Sequence, residues 1–170
     1  MTTWPQMFRL FYTKHITGCC QVNHFQNATL KGAISAACPC CRHDDETAAH
    51  VLVCKDPTRR KLYFDSVEKL RLWLEGKQTD PRLTSMIVDY LRGRGNRSML
   101  SCHTGRSSRH SRYYKLATHV DRLGWQNFTE GRIPCLFERV QCRYYKKHDS
   151  RCSSAKWSAE LVDQIFKLTH

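Results

Sequence analysis

Residues 38–54 read CPCCRHDDETAAHVLVC. Taken as Cys38-x2-Cys41-x8-His50-x3-Cys54, this stretch offers three thiols and one imidazole from a short run of chain. Zinc takes such a set at the corners of a tetrahedron, and a local fold can present all four ligands. The Cys38–Cys41 spacing predicts a turn that aims both sulfurs the same way, with Pro39 stiffening it. His50 and Cys54 are four apart and share one face of a helical turn. Glu46 and Thr47 precede that turn, where a carboxylate suits the helix dipole. Val51, Leu52 and Val53 are expected to pack behind the metal. The choice of sulfurs stays open, because Cys40 can stand in for Cys38 or Cys41. His43 can replace His50 only across a cramped spacing. The set Cys38, Cys41, His50 and Cys54 is closed, with no corner left for water, which predicts one structural zinc ion and not a catalytic one.

Outward from this stretch the pattern is helical. Asp56-Pro57 and Asp80-Pro81 are paired start signals: the carboxylate accepts an orphan N–H, and proline has no N–H to lose. They predict helices from Pro57 to about Glu75 and from Pro81 to Arg92, with Gly76 and Gly93 as stops. Tyr63, Val67, Leu70 and Leu74 form the inner stripe of the first, with Trp73 beside it, and Leu83, Ile87, Tyr90 and Leu91 that of the second. The short connector makes them antiparallel neighbours. An amphipathic helix is expected over Trp4–Ile16, its apolar positions being Met7, Phe8, Leu10, Phe11 and Tyr12, with Gly18 as its stop. A polar connector follows up to Cys38. Further helices are expected over Tyr113–Leu123, over Pro134–Tyr145 with Leu136, Phe137, Val140 and Tyr144 inward, and over Ala155–Leu168. Trp4, Trp73, Trp125 and Trp157 read as core or inter-helix anchors. No strand alternation and no repeat stands out. The fold class is a small, mainly α protein with one CCHC zinc knuckle and a flexible basic linker. Its expected divisions are 1–93, a linker at 94–112, and a helical region at 113–170.

The 170 residues carry 28 Lys and Arg against 15 Asp and Glu, a net charge of +13, so a polyanion is the natural partner. Mean hydropathy is −0.59, and no apolar run approaches the ~20 residues of a membrane helix. No basic amphipathic helix with a strong apolar face points to a membrane surface. Ten cysteines without a signal-peptide core in MTTWPQMFRLFYTKHITG place the chain in reducing surroundings, cytoplasmic or nuclear, where clustered cysteines read first as metal ligands. Arg92, Arg94, Arg97, Arg106, Arg109 and Arg112 lie among Gly, Ser, Asn and His with no carboxylate between them. They are the candidate contacts to phosphates. Tyr113, Tyr114, Tyr144 and Tyr145 alternate with cations in a way that suits base stacking, although one tyrosine of each pair packing inward is the simpler expectation.

Ile16-Thr17-Gly18 after an amphipathic helix, then Cys38-x2-Cys41, then Glu46-Thr47-x2-His50-x-Leu52-x-Cys54 occur in one order. This resembles the zinc-binding segment downstream of the reverse transcriptase and ribonuclease H domains of non-LTR retrotransposons, over about residues 8–75. DRLGWQNFTEGR, residues 121–132, resembles uncharacterised retroelement-associated open reading frames of algal genomes. The resemblance implies a nucleic-acid-binding or element-RNA-handling appendage of a polymerase polyprotein. With the net charge, the expected activity is binding of RNA or single-stranded DNA with low sequence specificity; the alternatives are a module that docks on a protein such as a polymerase and a retroelement remnant without activity. The chain departs from that family in having neither a polymerase nor a ribonuclease H core. Asp44-Asp45 is its only acidic pair in view and reads as solvated charge. A second metal site at Cys135, Cys142, His148 and Cys152 matches no defensible ligand pattern, and Cys19, Cys20 and His24 make a weaker one still. Nucleophile elbow, P-loop and dinucleotide-binding glycines are all missing from the sequence, so an enzyme is not expected.

Overall fold

The computed structural model describes residues 6–17, 19–102 and 110–169. Their regular structure is helical: α1 (Gln6–Ile16), α2 (Asn23–Thr29), α3 (Ala48–Val53), α4 (Pro57–Gly76), α5 (Pro81–Arg92), α6 (Arg112–Leu123), α7 (Trp125–Thr129), α8 (Leu136–Lys147) and α9 (Ser154–Phe166), with a closing 3-10 turn. The chain divides into two compact units, Met1–Tyr63 and Phe64–His170, so the boundary falls inside α4. Composition predicts a boundary in the arginine-rich segment 94–112. There Met99 and Cys102 are buried instead, and the amides of Met99 and Leu100 donate to the Asp121 carboxylate at 2.6 and 3.0 Å. Two buried apolar side chains and one distant acceptor anchor residues that look like linker by composition.

Both Asp-Pro starts cap their helices. Asp56 Oδ1 accepts from the Arg59 amide at 2.9 Å, and Asp80 Oδ1 from the Arg82 amide at 3.0 Å. The stops differ from expectation. Gly76 stays helical, and Gln78, at φ 50°, takes the left-handed position. The Thr79 amide reaches back to the Leu74 carbonyl, and the Gln78 amide to that of Glu75, which is the Schellman pattern. Gly93 is likewise right-handed, and Arg94 and Gly95 carry the positive φ. At the α6–α7 junction Gly124 sits at φ 85° and ψ 160°, a region closed to residues with a Cβ.

The second unit has an apolar core. Val67, Leu70 and Leu74 of α4 are buried, with Leu83, Ile87 and Leu91 of α5, Leu116 and Val120 of α6, Phe128, Phe137, and Trp157, Leu161 and Ile165 of α9. On α8 the inward tyrosine is Tyr145, not Tyr144. Its hydroxyl donates to the Lys77 carbonyl at 2.7 Å. The polar turn 77–80 is gripped from three helices. Gln141, fully buried, accepts from the Asp80 amide and donates to the Gln78 carbonyl, both at 3.0 Å. The Trp157 indole N–H donates to Thr79 Oγ1 at 2.9 Å, and the Tyr113 hydroxyl to Asp80 Oδ2. Each buried polar group of this turn thereby avoids the ~1–3 kcal/mol cost of an unmade hydrogen bond.

The first unit is built differently. Of its described residues the buried hydrophobic ones are Cys20, Cys38, Leu52, Cys54 and Tyr63. Met7 and Leu10 of α1, expected inward, are 80% and 50% exposed. The segment from Cys19 to Cys38, expected to be connector, contains α2, which buries none of its residues. Hydrogen bonds hold α2 instead. The Asn23 amide donates to Glu46 Oε2 at 3.1 Å, and its side-chain amide to the Ala37 carbonyl at 2.9 Å.

Candidate metal centre

Residues 36–38 and 44–46 pair as a miniature antiparallel hairpin. The Cys38 amide donates to the Asp44 carbonyl at 2.8 Å and the Glu46 amide to the Ala36 carbonyl at 2.9 Å, with Ala37 opposite Asp45. The Arg42 amide closes the tip onto the Cys38 carbonyl at 2.9 Å, and Arg42 itself turns through φ 57°. This tip carries Cys38 and Cys41. Thr47 then caps α3, its Oγ1 accepting from the His50 amide at 3.0 Å. Cys54 follows α3 directly as its C-cap in extended backbone, not as a residue of the helix.

Hairpin tip and helix end bring four ligand atoms together. Those of Cys38, Cys41, His50 and Cys54 all lie within 4.8 Å of one another, and they form the one such group among the described residues. The sulfurs of Cys38 and Cys54 are 3.8 Å apart, and Cys41 Sγ is 3.4 Å from His50 Nε2. With metal–sulfur bonds of ~2.3 Å and metal–nitrogen bonds of ~2.0 Å, tetrahedral edges measure roughly 3.8 Å between sulfurs and 3.5 Å from sulfur to nitrogen. A disulfide needs ~2.05 Å, and all ten cysteines are free. The Cys38–Cys54 and Cys41–His50 distances match such tetrahedral edges, and the four donors can hold a metal ion.

The electrostatics favour a thiolate at Cys41 and oppose one at Cys54. Backbone amides of Asp44 and His43 donate to the Cys41 sulfur and lower its pKa to about 6. Burial pushes Cys54 up to about 11, against the Asp56 amide that favours its charged form. Cys54 thus surrenders its proton only to something that replaces it. Asp44 Oδ2 stands 3.8 Å from His50 Nδ1, the nitrogen turned away from the sulfurs. A carboxylate there orients the ring.

Around the four, the open alternatives close. Cys40 is exposed and its sulfur accepts from Arg59 Nε at 2.9 Å, pointing away from the group. His43 is exposed and belongs to no such group. Glu46, expected to serve the α3 dipole, is buried and accepts from Arg59 Nη2 at 2.7 Å. It ties hairpin, α2 and the start of α4 together, a role the spacing did not reveal. Of Val51, Leu52 and Val53, Leu52 alone is buried. Asp45 pairs with His24 at 3.2 Å, and both are more than half exposed, as solvated charge should be.

Cys135, Cys142, His148 and Cys152 do not converge. Cys135 caps the start of α8 and Cys152 lies beyond its end, and twelve helical residues span ~18 Å. The His148 ring rests 4.3 Å from that of Tyr144. Cys20 approaches His15 at 3.8 Å, and His24 turns to Asp45.

Four of the six arginines are among the described residues. Arg92 pairs with Glu68 at 3.4 Å, Arg94 lies 6.0 Å over the Phe64 ring, Arg97 is exposed beside Gly93, and Arg112 sits 5.4 Å over the Tyr113 ring. Arg106 and Arg109 lie outside the described residues. No helix among the described residues is long and apolar enough to cross a membrane. No protein-family model, curated protein or solved structure matches this chain.

Proposed function

We propose that this is a zinc-stabilised, basic module that binds RNA or single-stranded DNA with low sequence specificity and is not an enzyme. The observation that carries the reading is the Cys3His group, its four donor atoms within 4.8 Å of one another, on a chain of net charge +13. Cys38, Cys41, His50 and Cys54 would hold the ion, which contributes folding free energy when bound. Zinc is favoured over other metals because three thiolates and an imidazole suit a borderline-soft ion without geometric preference. Such thiolates persist in reducing surroundings, in keeping with the cytoplasm or nucleus. The likeness of Glu46-Thr47-x2-His50-x3-Cys54 to the retrotransposon segment supports, as part of the same proposal, a retroelement origin for the module.

Filter binding of a generic single-stranded oligonucleotide across a salt series tests it. Binding should weaken steeply as salt rises, because each cationic contact releases counterions. An affinity flat in salt, or no binding at low salt, contradicts the reading. Met7 and Leu10, exposed three residues apart on α1, favour a second reading, a module that docks on a protein such as a polymerase. Met7→Ser with Leu10→Ser would abolish that docking and leave nucleic-acid binding intact.

A further inference from the structure

Within the second unit, α6 and α8 leave a groove made of two adjoining cavities. The first, of about 430 Å³, is walled by Arg112 and Lys115 from α6 and by Arg139 and Arg143 from α8, over a floor of Leu136 and Val140. The second, of about 510 Å³, shares Leu136 and Arg139 and continues over Leu123, Ile133 and Pro134, with His119 at its edge. No carboxylate lines either cavity. Glu138 lies on α8 but outside both linings.

The four cations of the first cavity are all exposed, and among the described residues none forms an ion pair. Arg112 and Lys115 are three apart on one helix, and Arg139 and Arg143 four apart on the other. Both spacings set like charges side by side, which costs a helix stability. Arg112 stands in addition in the first turn of α6, where the helix dipole disfavours a cation. Each of these costs is relieved by one kind of occupant, an anion in the groove.

The geometry points to this groove as the seat of a single-stranded nucleic acid, an inference that rests on the nucleic-acid reading above and locates its contacts. Phosphodiesters would lie between the two pairs of cations. An unstacked base would enter the apolar cavity beyond Arg139. A duplex keeps its base faces inside the stack and offers that cavity nothing. Of the six arginines the placement keeps Arg112, and it leaves Arg92, paired with Glu68, outside the groove.

Fluorescence anisotropy with the full zinc-loaded chain and a short labelled oligothymidylate tests the groove. Arg139→Glu with Arg143→Glu should weaken binding about tenfold or more, and Arg139→Ala with Arg143→Ala should flatten the salt slope by about 1.4. Circular dichroism should be unchanged, because both side chains are exposed, and Lys115→Glu gives an independent variant on the opposite wall. Arg92→Ala with Arg97→Ala should keep most of the affinity. If the wild type binds and the groove variants bind equally well, the groove is wrong while the nucleic-acid reading stands. A wild type that binds no oligonucleotide at low salt removes both. Equal binding of a duplex overturns the single-strand assignment. Competition by polyglutamate as effective as by oligothymidylate would give the groove to an acidic polypeptide and overturn the inference.

Discussion

The two units solve the same problem by different means. Phe64–His170 buries aromatic and aliphatic side chains from six helices, and its polar turn 77–80 is satisfied by Gln141, Tyr145, Tyr113 and Trp157. Among the described residues of Met1–Tyr63 the buried hydrophobic ones are few, Cys20, Cys38, Leu52, Cys54 and Tyr63, and the unit gathers a three-thiol, one-imidazole group. Small units with too little apolar surface to bury are commonly held by metals. Stability in the first unit should therefore follow the metal, and in the second the packing.

Removing the metal should separate the units most. A structural zinc in a small domain supplies ~10–16 kcal/mol of apparent binding free energy at neutral pH. Chelation, Cys54→Ser or His50→Ala should each abolish hydrogen-exchange protection in α2 and α3, leaving α5, α8 and α9 protected. Loss of protection in both units together would show that they do not fold independently.

The converse break is Phe137→Ala in the core of the second unit, where the ring is fully buried beside Phe128 at 6.1 Å between centroids. It should cost about 3–5 kcal/mol, read by denaturant unfolding, with zinc content unchanged. A variant that loses its zinc as well would contradict the division.

Acid sharpens the contrast next. At neutral pH Cys41, lowered to about 6, already carries its charge, and metal binding displaces the proton of Cys54, held near 11. Affinity should thus fall as pH falls, and below about pH 6 Cys41 adds one further proton to displace. That steepens the loss on the acid side by one further proton, up to about tenfold in affinity per pH unit. Competition against a chromophoric chelator between weakly acid and weakly alkaline pH measures the slope. A slope no steeper on the acid side would contradict the assignment of Cys41 as a ligand.

The smallest effect belongs to the cap. Thr47→Ala removes the acceptor for the His50 amide and should cost ~1 kcal/mol. Its signature is weaker zinc affinity without change in the unfolding of the second unit.

Much of this contrast was legible in the sequence, for physical reasons that also explain what was not. Cysteine and histidine spacing encodes a ligand set because few other arrangements use it, and Asp-Pro encodes a helix start because both residues act locally. The inner stripes of α4 and α5 follow from periodicity alone. Other features depend on partners far along the chain. Nothing local says that the Cys40 sulfur turns to Arg59, that Glu46 ties three segments together, or that Asp121 receives the amides of Met99 and Leu100. α2 escaped notice because it buries nothing, and α7 because five residues show no period. Tyr144 and Tyr145 are adjacent on one helix, so a small change of its rotation decides which faces inward.

X-ray absorption at the zinc edge of the purified chain examines the metal directly. The account predicts one zinc per molecule, with three sulfurs at ~2.3 Å and one imidazole nitrogen at ~2.0 Å. A protein that binds no zinc, or a shell of four sulfurs or of oxygen donors, would contradict it.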